Sequence, residues 1–254
     1  MNHFLKVSLY LLVTLLISAC EYEADPEPEV SDGDGKAIAD FIVQNNRLIT
    51  IESSFIKIYT LADSTKPILE TIYSSSDDVE FESIYAYKTN MLMIGTSEGT
   101  FFKDHTTPGT LTDLTFSEIV TSCDTAITQG NYLYITQRSD EKCSDTNNAN
   151  NKSQLLIYNI LQVASPSLEK AIDIDTPYGL GINGTNLFVC YEQGVIEFDI
   201  SDPTDPDQTG DYSQPCNNII ASQDPMILSD NSGVRLVEYA NPGLTELAII
   251  RKSE

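Results

Sequence analysis

Five Cys, two His and 38 Asp plus Glu are the side chains of this 254-residue chain best suited to attack, ligate or shuttle protons. Beyond the N-terminal segment the single histidine is His105, so a Ser-His-Asp arrangement would have to be built around it, and a His-rich metal site is excluded. No Cys-x-x-Cys pair occurs, which makes zinc the weaker reading of the cysteines. Asp32 and Asp34 flank Gly33, but Lys36 stands where a calcium loop needs its third carboxylate. Carboxylate pairs for acid–base work on sugars depend on spatial distance, and the sequence leaves them open. The expectation is therefore a protein that is not an enzyme and that needs no cofactor or metal.

Charge narrows the partners. Fourteen Lys and Arg against 38 Asp and Glu give a formal charge of −24, which argues against nucleic acid, since phosphates must be neutralised by cations. The first nineteen residues carry one charged side chain, Lys6, followed by an apolar run from Val7 to Ile17. That run is too short to cross a hydrocarbon core of about 30 Å, and it reads as a signal peptide over residues 1–19. Residues 20–35 are acidic, contain Pro and Gly and lack apolar periodicity, as a solvated tether does. The folded domain is expected over residues 36–254.

The elements that would position any site come from a repeat. Short β-type runs recur with tight turns between them, such as Asn45-Asn46, Gln129-Gly130-Asn131 and Asn183-Gly184. Aligning Leu48, Leu92, Leu133, Leu187 and Ile227 gives intervals of 44, 41, 54 and 40 residues. The long interval holds a polar insertion, Gln137 to Ser153. Third segments follow, several entered through glycine, then a Pro-bearing link and a weaker outer segment. Four strands per unit in five units predict an all-β fold, a five-bladed β-propeller of four-stranded antiparallel blades. Asp199, Asp202 and Asp205 in the links fit turn chemistry, and Tyr85, Tyr87, Tyr132 and Tyr134 fit packed or half-buried strand positions.

With Cys20 set aside, Cys123, Cys143, Cys190 and Cys216 form an even set in an exported chain, which implies two disulfides. The blade alignment selects Cys123–Cys143 and Cys190–Cys216, all on one rim. His105 falls on the opposite rim. The cysteine rim would also carry Asp77, Asp78, Asp124, Asp173, Asp175 and Glu192, an acidic candidate ligand-binding surface preorganised by the bridges. The alignment leaves ring closure open: blades one and five pack side to side, or the strand labels are displaced by one.

Three resemblances add context. Leu16-Ile17-Ser18-Ala19-Cys20 resembles the lipobox of bacterial lipoproteins, which implies a diacylglycerol thioether and an amide-linked acyl chain on Cys20 and stable attachment to a membrane. The acidic run after Cys20 is similar to the export signal of some surface-displayed outer-membrane lipoproteins, and a plain spacer is the other reading. Leu187 to Pro203, with its Gly194 and its Asp199-Ile200-Ser201-Asp202-Pro203, resembles the LVIVD repeat of bacterial envelope lipoproteins. These likenesses imply a protein lipid-anchored to the outer membrane of a Gram-negative bacterium, periplasmic or surface-exposed. Its expected role is a non-catalytic binding module for an envelope protein, a glycan or a small ligand. The alternatives are a hydrolase- or lyase-type propeller acting on an extracellular glycan, and a purely structural component.

Overall fold

A computed structural model describes residues 41–75, 79–117, 119, 125–139, 152–222, 224–240 and 243–252. All of them belong to one compact unit, Lys36–Glu254. Five antiparallel four-stranded sheets follow one another along the chain. Blade 1 is β1 (Phe41–Gln44), β2 (Arg47–Glu52), β3 (Phe55–Thr60) and β4 (Ile68–Ser74). Blade 2 is β5 (Ser83–Tyr87), β6 (Met91–Thr96), β7 (Gly99–Asp104) and β8 (Thr112–Ser117). Blade 3 is β9 (Ala126–Gln129), β10 (Tyr132–Gln137), β11 (Gln154–Asn159) and β12 (Ser167–Asp173). Blade 4 is β13 (Leu180–Asn183), β14 (Asn186–Tyr191), β15 (Gly194–Asp199) and β16 (Asp207–Tyr212). Blade 5 is β17 (Asn218–Ile220), β18 (Met226–Asp230), β19 (Gly233–Tyr239) and β20 (Leu244–Arg251). The sheets form a five-bladed β-propeller, as the repeat predicts.

Local chemistry explains the regularity. Asn45 and Asn46 have φ of 51° and 60°, the left-handed pair that a tight hairpin between β1 and β2 demands. Gly194 enters β15 at φ 150°, where a Cβ would stand 2.0 Å from the Tyr212 carbonyl oxygen, so no other residue fits that start. Each third-to-fourth strand pair shifts register at an equivalent place, after Ile58, Phe102, Ile157, Glu197 and Leu236. This shared bulge kinks every outer strand alike and shows the five units to be true structural repeats.

Alternation sends one set of side chains to the preceding blade and the other to the following one. Leu187 and Val189 pack towards blade 3, and Phe188 and Cys190 towards blade 5. Apolar clusters of this kind fill the junctions 1–2, 2–3, 3–4 and 4–5. In blade 5 the residue packed towards the preceding blade is Leu228, with Met226, so the alignment anchored on Ile227 is displaced by one residue. A one-residue slip in a strand reverses its faces, and the segment between β17 and β18 is too long to fix the register locally.

Among the described residues, ring closure takes neither expected form. The strand labels stand, with β1 innermost, yet no apolar cluster joins blade 5 to blade 1 among the described residues. The inner strands β1 and β5, β5 and β9, β9 and β13, and β13 and β17 lie against one another, and β17 and β1 make no contact of that extent.

Candidate functional site on the disulfide-bearing rim

Each blade has two ends. One carries the β1–β2 type hairpins, and the other carries the β2–β3 type turns together with the links from blade to blade. Cys190 and Cys216 lie at the link end, in β14 and in the segment before β17, and are joined in a disulfide with Cα atoms 5.2 Å apart. Both are buried between blades 4 and 5. Cys20 and the expected pair Cys123–Cys143 lie outside the described residues.

A chain of hydrogen bonds runs along this rim and crosses three blades. The Thr136 hydroxyl donates to the Tyr178 carbonyl (2.7 Å), Tyr178 N–H to Cys190 O (2.7 Å) and Cys190 N–H to Gly179 O (2.8 Å). Gly179 N–H donates to Asn217 O (2.8 Å), and Asn217 N–H to Ser229 O (2.7 Å). The backbones come so close that a Cβ at Gly179 would sit 2.7 Å from the Asn217 oxygen. Link residues that would otherwise be free are thus stitched to their neighbours, which holds the rim rigid.

Carboxylates project from this frame. Asp173, Asp175 and Glu192 are exposed. Asp173 accepts from Gln154 Nε2 at 2.6 Å and lies 3.7 Å from Lys152 Nζ. Tyr191 donates its hydroxyl to Asp211 Oδ1 at 2.7 Å. Burial, that bond and the charges of Asp211 and Asp175 push the Tyr191 phenol up to about 12. The Arg138 guanidinium stands 5.3 Å from the Tyr178 ring centroid. Asp77, Asp78 and Asp124, the other expected rim carboxylates, lie outside the described residues. Among the described residues no three His, Cys, Asp or Glu side chains converge as a metal site would require.

The other candidates resolve into structure. Asp199 caps Ser201 N–H at 2.8 Å and Asp202 caps Thr204 N–H at 3.0 Å, the turn chemistry expected of Asp near Pro. Tyr87 and Tyr134 are fully buried, and Tyr85 and Tyr132 partly so. His105 follows β7 at the hairpin end, opposite the disulfide, but is buried between blades 1 and 2. Its Nε2 lies 2.7 Å from Gln44 Oε1, and Arg47 Nη1 faces its Nδ1 at 3.4 Å. A guanidinium only donates, so Nδ1 accepts and the ring is neutral with its proton on Nε2. Burial, and then the Arg47 charge, hold the His105 pKa below the ordinary histidine value. Arg47 is anchored in turn by Glu70 Oε2 at 2.9 Å.

Sequence reasoning missed one buried centre. Glu197, in mid β15 and 1 % exposed, accepts hydrogen bonds from the hydroxyls of Tyr212 (2.5 Å) and Tyr239. Burial and the adjoining carboxylate push the Tyr212 phenol up to about 12 and raise that of Tyr239 as well. The signal was present in Val195-Ile196-Glu197-Phe198, where a lone carboxylate interrupts an apolar run.

No family model matches the sequence, and no curated protein matches it. Solved structures do match. The periplasmic gluconolactonase of Pseudomonas aeruginosa is 10 % identical with a TM-score of 0.57, over 81 % of this chain and 67 % of its own. A functionally unknown protein from Desulfotomaculum acetoxidans is 9 % identical with a TM-score of 0.58, over 86 % and 71 %. A chain of the nidogen/laminin complex is 12 % identical with a TM-score of 0.53, over 84 % and 78 %. These likenesses define the fold. They also correct the expectation that the protein is not an enzyme: an architecture shared with a gluconolactonase gives no ground for excluding catalysis.

Proposed function

We propose that this chain is a propeller of the bacterial envelope, related to the LVIVD-repeat lipoproteins and tethered through acyl groups on Cys20 to the outer membrane. Its disulfide-bearing rim is the binding surface, facing the periplasm or the exterior. The observation that carries the reading is the rigid frame beneath Asp173, Asp175 and Glu192. Acidic side chains on a stitched, disulfide-held support bind a ligand at little ordering cost. Their charge selects a cationic partner, a Lys- and Arg-rich envelope protein or an amino-sugar glycan, and a chain of net charge −24 draws such partners in from a distance.

Calorimetric titration of the full chain with chitosan oligosaccharides and with a lysine-rich protein tests this reading. The triple variant Asp173→Asn, Asp175→Asn, Glu192→Gln is expected to lose at least tenfold in affinity for one of the two probes, with its unfolding curve unchanged. Equal affinity in both proteins removes the rim from the function. Radiolabelled fatty acid incorporated into the wild type but not into Cys20→Ser tests the anchor. A sugar lactone belongs in the same series, because the matched Pseudomonas protein is a gluconolactonase. Ring opening above the buffer rate would add catalysis to this chain.

A further inference from the structure

Four junctions of the propeller obey one rule: the apolar face a blade turns forward meets the apolar face the next blade turns back. The two remaining faces obey its first half only. On blade 1, Phe41, Val43, Phe55 and Ile72 are 61, 64, 42 and 52 % exposed. The pairings Phe41↔Thr50, Thr50↔Lys57 and Lys57↔Ile72 place them on the side away from blade 2. On blade 5, Ile220, Val234 and Ile250 are 53, 36 and 68 % exposed, and the pairings Ile220↔Ile227 and Val234↔Ile250 place them away from blade 4. A hollow of about 330 Å³ opens on the blade 1 face between Glu52, Phe55, Lys57 and Ile72. End repeats of a stacked array ordinarily carry a polar outer face, and on these two, large apolar side chains share the face with the polar ones.

We propose that the occupant of this seam is a second copy of the chain. The blade 5 face of each copy packs on the blade 1 face of the other, about a two-fold axis parallel to the propeller axis. Such a pair repeats the internal junction twice more and leaves no apolar face over, so it closes instead of growing into a fibre. The area suits it: a stable pair needs roughly 800 Å² from each partner, and two four-stranded sheet faces, one of them carrying Phe41 and Phe55 at about 150–250 Å² each, supply that scale. Charge suits it as well. At the link end blade 1 carries Glu52, 66 % exposed and paired with Lys57 of its own hairpin, a carboxylate that a second cation can share. At the same end blade 5 offers exposed Lys252, the first residue after β20.

Sedimentation equilibrium of the full chain in density-matched non-ionic detergent reads the outcome. The wild type is expected to be a dimer. Val43→Asp and Ile220→Asp, on different faces of the seam, should each weaken association at least tenfold. Leu161→Asp, at a site equally exposed but in a loop off the seam, should leave it unchanged. All three positions are open to solvent, and coincident urea transitions will show that the variants fold. A monomeric wild type, or a dimer indifferent to both seam variants, overturns the proposal. So does a Val43→Cys, Ile220→Cys protein that forms its bridge within a single chain, because the ring would then close on itself. Flotation of monomer with phosphatidylethanolamine/phosphatidylglycerol vesicles, abolished by the seam variants, would assign the faces to lipid and overturn it equally.

Discussion

The junction between blades 4 and 5 and the seam between blades 5 and 1 are opposite extremes of one design. The first holds a disulfide, a buried Glu197 with two phenols, and a dense apolar cluster including Phe188, Met226 and Leu228. The second has no apolar cluster, hydrogen bond, ion pair or ring contact among the described residues, although its two faces expose Phe41, Val43 and Phe55 on one side and Ile220 and Ile250 on the other. Apolar composition alone therefore does not close a propeller. A face contributes to stability only when another face of matching relief stands opposite it, because the gain comes from area removed from water.

The sharpest way to break the contrast is to truncate the same side-chain type on both sides of it. Phe188→Ala, at a fully buried position, should lower the stability measured by urea unfolding by about 3–5 kcal/mol. Phe41→Ala, at 61 % exposure, should stay within about 0.5 kcal/mol in the monomer. Removing the bridge comes next. Cys190→Ala with Cys216→Ala opens a loop of 26 residues and should cost about 3 kcal/mol by the chain-entropy model, read from the same transitions.

Smaller effects sharpen the contrast. Tyr239→Phe takes one donor from the buried Glu197 carboxylate and should cost about 1–3 kcal/mol. The double variant with Tyr212→Phe should depart from additivity, since both phenols serve one acceptor. The blade 1–2 junction adds a pH response of lesser size. His105 has a lower pKa folded than unfolded, so between the two values the unfolded chain binds more protons. Its contribution is complete above the ordinary histidine value of about 6.5 and is lost as pH falls through the folded pKa. Thermal melts should therefore show a decline in this range that His105→Gln removes.

Sequence and structure agree where the determinants are local. Turns at Asn45-Asn46, the glycine opening β15, the caps at Asp199 and Asp202, and the alternating strands are each set by a few neighbouring residues, and all were legible. The Cys190–Cys216 bridge followed because the repeat converts sequence positions into rim positions. What escaped notice is what long loops and distant partners decide. The register of β18 is fixed by its pairing with β19 and not by the segment before it, so Ile227 took the place of Met226. The phenols that hold Glu197 lie 15 and 42 residues away from it. The acidic rim was visible as composition, but its stitched frame, above all the approach of Gly179 to Asn217, emerges only once three blades stand side by side.

The open seam also sets how the molecule comes apart. β1 is the innermost strand of a terminal blade that, among the described residues, is buttressed on one flank alone, while the covalent staple sits at the far end of the row. Tension applied at the N-terminus therefore meets its weakest resistance first and peels blade 1 away, leaving blades 4 and 5 intact. Amide exchange in a single molecule should follow the same gradient, fastest in β1 and β2 and slowest in β14 and β15.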